Sequence, residues 1–275
     1  MTAPATALAT RSATATARVS VARVFLALLA RDVHVTRREL PYFLIRTSLQ
    51  PLMSVVVFGY LLPHLGFARA NYGAALLPGI IAISLVLSAM QAVTLPMVID
   101  FGATKEIEDR LLAPVPIQLV AIEKVVAGVL QGMIAAVVVL PLARLIMGPV
   151  LSLGSAHLGE ALLVALFGSA AFSCLGLVLG TAIDPRQIGF IFSAVLGPMM
   201  FFGCVYYPWA SLARLPAMQI AVLVNPLVFV SEAMRGVLTP ALPHMPLGVA
   251  MAVLAGVTLA LGWLGLRTFE RRALS

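Results

Sequence analysis

Six long apolar runs dominate the chain, near residues 42–62, 73–99, 121–147, 158–182, 187–207 and 246–266. Each is long enough to cross about 30 Å of hydrocarbon as a helix, which takes about 20 residues. The runs are continuous rather than alternating. A barrel strand would alternate over about 10 residues, so helices are expected. The predicted fold is therefore an all-α integral membrane protein with six transmembrane helices.

The segments between the runs are equally informative. Residues 1–18 are rich in Ala, Thr and Arg and have no secretory apolar core, so they read as a flexible cytosolic tail. Residues 19–41 mix Val21, Val24, Phe25, Leu28 and Val35 with Arg23, Arg31, Arg37 and Arg38. That pattern predicts an N-terminal amphipathic interfacial helix on the membrane surface. Asp32 interrupts its apolar stripe, and Pro41 marks the bend into the first span. Residues 208–245 carry Pro208, Pro216, Pro226, Pro240 and Pro243. This segment is too apolar for a free loop and too broken for a span. Short outer-leaflet helices before the last span are expected there, with Tyr206, Tyr207 and Trp209 in an interfacial aromatic belt.

Composition agrees with a lipid solvent. Hydrophobic residues make up 61% of the 275, charged residues 11%, and mean hydropathy is +1.04. A soluble domain carries about 25% charged residues. The net charge of +7 would point to nucleic acid in a soluble protein, but here it sorts by side. Arg11, Arg18, Arg23, Arg31, Arg37, Arg38, Arg46, Lys105, Arg110, Lys124, Arg186, Arg267, Arg271 and Arg272 fall on one side of the predicted bilayer. Only Arg69, Arg144, Arg214 and Arg235 fall on the other. The excess marks the cytoplasmic face, so both termini, including residues 268–275, are expected inside. Nucleic acid is not an expected partner.

The candidate chemistry is mostly a set of absences. Neither lysine follows a glycine, so no phosphate-binding loop of the Gly-Lys-Ser/Thr type exists and the chain is not expected to hydrolyse ATP. No enzyme activity, cofactor or metal site is expected in this chain: His34, His64, His157 and His244 are scattered, and no Gly-x-Ser-x-Gly occurs. Cys174 and Cys204 lie in apolar runs and read as small buried hydrophobes. Almost no ionisable residue is expected deep in a span, which argues against a proton or ion relay. Gln91 and Thr94 in span two and Gln131 in span three are candidates to line a substrate path, as are Ser169 and Ser173 in span four. Bonding between helices is the commoner role for each. Tyr206, Tyr207 and Arg235 are candidate gate residues beyond span five. Gly128/Gly132 and Gly176/Gly180 form two Gly-x-x-x-Gly pairs that permit close helix contact.

The most charged stretch is the loop 100–120. Its centre reads Lys105, Glu106, Ile107, Glu108, Asp109, Arg110, Leu111, Leu112, Ala113, Pro114. Thr104 can cap a short helix that Pro114 ends, with Ile107, Leu111 and Leu112 on one side and charges on the other. Exposed apolar residues at that spacing mark a docking surface.

That stretch resembles the loop between spans two and three of the ABC-2 type permease family. A second stretch is similar to the family's pattern after span five: Gly203-Cys204-Val205-Tyr206-Tyr207-Pro208, then Leu215-Pro216, Asn225-Pro226 and Arg235. The two occur in family order on opposite sides of the membrane, and the resemblance covers the chain after about residue 20. The chain departs from it in lacking Gly-Thr within the charged run and in having Phe229 where a small polar or basic residue is common. The resemblance implies a permease subunit of an ATP-driven exporter in a bacterial plasma membrane. It implies two nucleotide-binding ATPase subunits carrying ATP and Mg, and a second permease, identical or paralogous. It also implies that Lys105, Glu106, Glu108, Asp109, Arg110, Leu111, Leu112 and Pro114 form the coupling helix seated on the ATPase. The apolar spans suit an amphiphilic or lipid-linked cargo such as a glycolipid, polysaccharide-lipid or drug. The competing classes are an ion-coupled carrier working alone and a non-transporting membrane scaffold or enzyme.

Overall fold

The computed structural model describes Leu26, Ala30 and residues 40–67, 72–104, 116–147 and 155–273. The amphipathic segment 19–41 falls almost wholly outside the described residues. So do all eight coupling-helix residues between Lys105 and Pro114.

Every regular element among the described residues is helical. Helix α1, Leu40–Ser54, contains Pro51 and runs on through a π-helical stretch, Val55–Leu61, and one more turn, Leu62–His64. A proline removes one rung of the backbone ladder and crowds the carbonyl four residues back, here that of Thr47; the helix nonetheless stays α-helical from Leu40 to Ser54. α2, Tyr72–Ile99, passes into a π-helical turn at Asp100–Thr104. α3 is Ile117–Met147 and α4 is Ser155–Ala182. A 3₁₀ turn at Pro185–Gln187 leads into α5, Ile188–Phe201. Next come a 3₁₀ turn Trp209–Arg214, α6 Pro216–Ala221, a 3₁₀ turn Val222–Val224 and α7 Pro226–Leu238. α8, Leu247–Ala273, closes the described chain.

Among the described residues, five helices are long and apolar enough to cross a membrane: Pro41–His64, Ala75–Gly102, Ile117–Ala143, His157–Ala182 and Leu247–Ala273. The protein is an all-α integral membrane protein. The run expected as span five is realised as α5, only 14 residues long. At 1.5 Å per residue that is about 21 Å, short of the hydrocarbon thickness. The last α-helical rung of α5 runs from Phe202 N to the Pro198 carbonyl at 2.9 Å, and two residues later Cys204 takes a left-handed φ of 52°, which no α-helix continues through. The segment expected as short outer helices is a pair, Pro216–Val224 and Pro226–Leu238, bent by 102°. Counted as one broken span, it would make a sixth.

α2 is the axis of the bundle. Nearly all of its apolar window is buried, with α3, α4 and α7 around it and α8 behind α4. The small residues explain the closeness. A Cβ on Gly176 would sit 2.6 Å from the Met90 carbonyl oxygen, and one on Gly128 2.6 Å from Val93 Cγ2. Both expected glycine pairs thus face α2. Contacts orient the bundle. Phe101 meets Phe269 at one end, called proximal here because the loop 100–120 lies there; Tyr72 meets Tyr206 at the other, distal end. The C-terminal end of α8 and the loop 100–120 therefore share one side.

Candidate functional site

The broken pair α6–α7 builds the distal site. Pro226 opens α7 without needing an N–H partner, and Asn225 caps it: Leu227 N donates to Asn225 Oδ1 at 3.0 Å. The same side chain donates through Nδ2 to the Met199 carbonyl at 2.8 Å, tying the bend to the end of α5. α7 is buried along almost its whole length against α2, α4 and α8. Such non-spanning backbone is tolerated at membrane depth only where protein surrounds it.

At its centre is a fully buried ion pair, Arg235 Nη1 with Glu232 Oε1, one turn apart on α7. The pair also orders the loops around it. Glu232 Oε1 accepts from Trp209 N at 2.9 Å and Oε2 from Met245 N at 3.0 Å. Arg235 Nη2 donates to the Cys204 carbonyl at 3.0 Å, which helps fix the left-handed residue. Ser231 Oγ donates to the Gly203 carbonyl at 2.7 Å. One helix face therefore holds two distal connections, at residues 203–209 and at 245. Burying two opposite charges together avoids the much larger cost of burying one alone.

Beside this network an apolar cavity of about 760 Å³ opens between α4, α5 and α8, with α6 and the bend above it. Leu175, Val195, Pro198, Met199, Val257 and Leu261 are among its walls. Asn225 is its one hydrogen-bonding side chain, and both ends of that amide are already engaged. The cavity thus offers a greasy surface with no free polar anchor. α5, its outer wall, packs chiefly on the turn before it; Phe190 and Phe201 are left exposed.

The residues singled out in the sequence fall into two groups. Tyr206, Tyr207 and Arg235 lie in or beside the distal network. The Tyr206 ring is 4.9 Å from that of Phe58, its carbonyl accepts from Tyr72 Oη at 3.3 Å, and Tyr207 Oη donates to the Phe201 carbonyl at 3.0 Å. Gln91, Thr94 and Gln131 lie elsewhere, in the α2–α3–α4 packing. Thr94 is wholly buried and donates to the carbonyls of Met90 (2.9 Å) and Gly176 (3.0 Å). Gln91 and Gln131 are half-buried, and the Gln131 carbonyl accepts from Ser88 Oγ at 3.5 Å. Ser169 and Ser173 are also wholly buried, opposite Gly132 and Gly128, and their hydroxyls have no hydrogen-bond partner among the described residues.

The expectation that almost no ionisable residue lies deep in a span meets one exception, Glu232 and Arg235, wholly buried on α7 of the broken pair; the other buried charges, Asp100, Glu123 and Lys124, lie near the proximal ends of α2 and α3. Glu232 was overlooked because its segment read as lying outside the membrane. The usable signal was a Glu and an Arg three apart in an otherwise apolar helix, the spacing of a same-face pair.

The family model of ABC-2 type transporters matches residues 23–239. The chain belongs to the ABC-2 type transporter family. The match spans the loop 100–120, the broken pair and the buried ion pair, and stops at Thr239, just past α7. The protein is accordingly a transmembrane permease component of an ABC-type transporter, a class that associates with an ATP-binding partner. No curated protein matches the chain.

Proposed function

We propose that this permease exports an amphiphilic or lipid-linked molecule, driven by separate ATPase subunits that bind ATP and Mg, in a bacterial plasma membrane with both termini cytoplasmic. The carrying observation is the apolar cavity of about 760 Å³ at span depth, whose one amide is already bonded within the protein. Such a cavity suits an alkyl chain and gives an ion or a small hydrophilic solute nothing to hold. The buried Glu232–Arg235 pair does not favour an ion-coupled carrier: it is neutral as a pair, and its carboxylate bonds two backbone amides.

In this reading a second permease, identical or paralogous, covers the thinly packed α5, and two ATPase subunits seat on Lys105–Pro114. ATP closes the ATPase dimer, and the displacement of its clefts biases the permease between two arrangements. Gln91, Thr94, Gln131, Tyr206, Tyr207 and Arg235 stay assigned to the path and gate. Of these, Tyr206, Tyr207 and Arg235 are the better supported, because they surround the distal end.

The experiment is mass spectrometry of lipid co-purified with the detergent-solubilised complex, paired with the Glu108→Ala, Asp109→Ala, Leu112→Ala triple variant. A retained amphiphile and loss of ATPase stimulation in the triple variant are expected. A small hydrophilic ligand, or unchanged stimulation, would overturn the cargo or the coupling assignment respectively.

A further inference from the structure

The loop 105–115 joins the bundle through two feet, Phe101–Thr104 after α2 and Pro116–Gln118 at the start of α3. Both feet rest on the last turn of α8. Phe269 is wholly buried in an apolar cluster with Met97 of α2, Val120 and Ala121 of α3 and Leu177 of α4; Phe101 and Ile117, one from each foot, pack on that cluster. The rings of Phe101 and Phe269 stand edge to face, 5.7 Å apart at 67°. Gln118 Nε2 donates to Glu270 Oε1 at 2.5 Å.

The same turn is also bolted to α4. Thr268 and Thr181 hydroxyls are 2.8 Å apart. Arg272 Nη1 donates to the carbonyls of Thr181 (2.6 Å) and Ile183 (3.0 Å), satisfying the open C-terminal end of α4 and matching its negative dipole end. The Arg272 guanidinium also lies 5.2 Å over the Phe101 ring. One helical turn thus holds the feet of the charged loop on one face and the end of α4 on another.

Resting on the reading that Lys105–Pro114 docks the ATPase, we infer that Phe269 and Arg272 are positioning residues for energy coupling. A tightly packed contact does not yield gradually; it shifts as a unit between arrangements. Displacement of either foot therefore moves Phe269, and through Arg272 and Thr268 it moves α4 together with α8, two walls of the apolar cavity.

The test uses the full permease–ATPase complex in lipid nanodiscs. Spin labels go on Val137→Cys in α3 and Leu259→Cys in α8, both exposed positions, while the native Cys174 and Cys204 are buried. The readouts are ATPase co-purification and the label-distance change induced by a non-hydrolysable ATP analogue. Phe269→Ala and Arg272→Ala are expected to co-purify the ATPase at wild-type ratio yet lose more than half of the distance change. Phe269→Leu and Arg272→Lys are expected to keep most of it. If Phe269→Ala fails to assemble, Thr268→Val and Arg272→Gln carry the same test, since each removes hydrogen bonds without opening a large cavity. A wild-type distance change in the Ala variants, or in that milder pair, overturns the inference alone. A wild-type response in the Glu108/Asp109/Leu112 triple variant overturns the docking reading and the inference with it.

Discussion

Thr94 Oγ1 on α2 lies 3.0 Å from the carbonyl oxygen of Gly176 on α4, and it also reaches the Met90 carbonyl within its own helix. The bond is possible because Gly176 has no side chain: an added Cβ would lie 2.6 Å from Met90 O and 3.1 Å from Thr94 Oγ1. Glycine, threonine and backbone form one contact. Gly176→Ala gains about 1 kcal/mol of helix propensity but costs about 1–3 kcal/mol in forced separation, so net destabilisation is expected. Gly256→Ala on α8, where nothing lies within 4 Å, keeps only the gain. Thermal unfolding in detergent should lower the midpoint for Gly176→Ala and leave or raise it for Gly256→Ala.

Breaking the distal ion pair is expected to be the most damaging single change at that end. Arg235→Ala leaves a wholly buried carboxylate without its cation, at a cost of about 3–5 kcal/mol. The double variant Glu232→Gln, Arg235→Met removes both charges and keeps an acceptor for Trp209 N or Met245 N, so it should be milder than Arg235→Ala. Chemical unfolding of the three proteins gives the ranking; equal losses would mean that the charges are not what matters.

Asn225 does two jobs that one substitution can separate. Asn225→Ser keeps an oxygen that can cap α7 but is too short to replace the donor to the Met199 carbonyl; Asn225→Ala loses both. The cap is worth about 1 kcal/mol. A larger stability loss for Ala than for Ser is expected, while both free the end of α5. Hydrogen exchange across residues 199–204 should rise in both variants.

Filling the cavity tests the cargo directly. Val257→Phe and Leu261→Trp add bulk to its α8 wall without touching the ion pair. Co-purified amphiphile and cargo-stimulated ATP hydrolysis should drop severalfold, with the melting temperature and the ATPase co-purification unchanged. Unaltered lipid retention would remove the cavity from the transport path.

The sequence made some of this legible and concealed the rest, for physical reasons. Uninterrupted apolar runs disclosed α1 to α4 and α8, because a lipid solvent leaves helices as the economical form. The glycine pairs were readable because four-residue spacing puts them on one helix face, and both do face α2. The length of α5 was not readable: its apolar run continues beyond Phe201, but the left-handed Cys204 reverses the chain before a full crossing. Glu232 was hidden by its apparent place outside the membrane. Arg272 was hidden by its usefulness in the charge count. Basic residues at helix ends mark topology, yet this guanidinium is engaged with the carbonyls of α4. The coupling-helix residues Lys105–Pro114 lie outside the described residues, so they rest on the sequence reading.

The Glu232–Arg235 pair also bears on how the chain is made. Thirteen residues carrying two charges cannot partition stably into lipid alone, since each charge at a span centre costs about 2.5–3.5 kcal/mol on insertion scales. The pair becomes tolerable only once α2, α4 and α8 surround α7 and the loops around Trp209 and Met245 supply their amides. α8 is the last of these to leave the ribosome. The native surroundings of the α7 ion pair are therefore complete only after the last of these helices has been made.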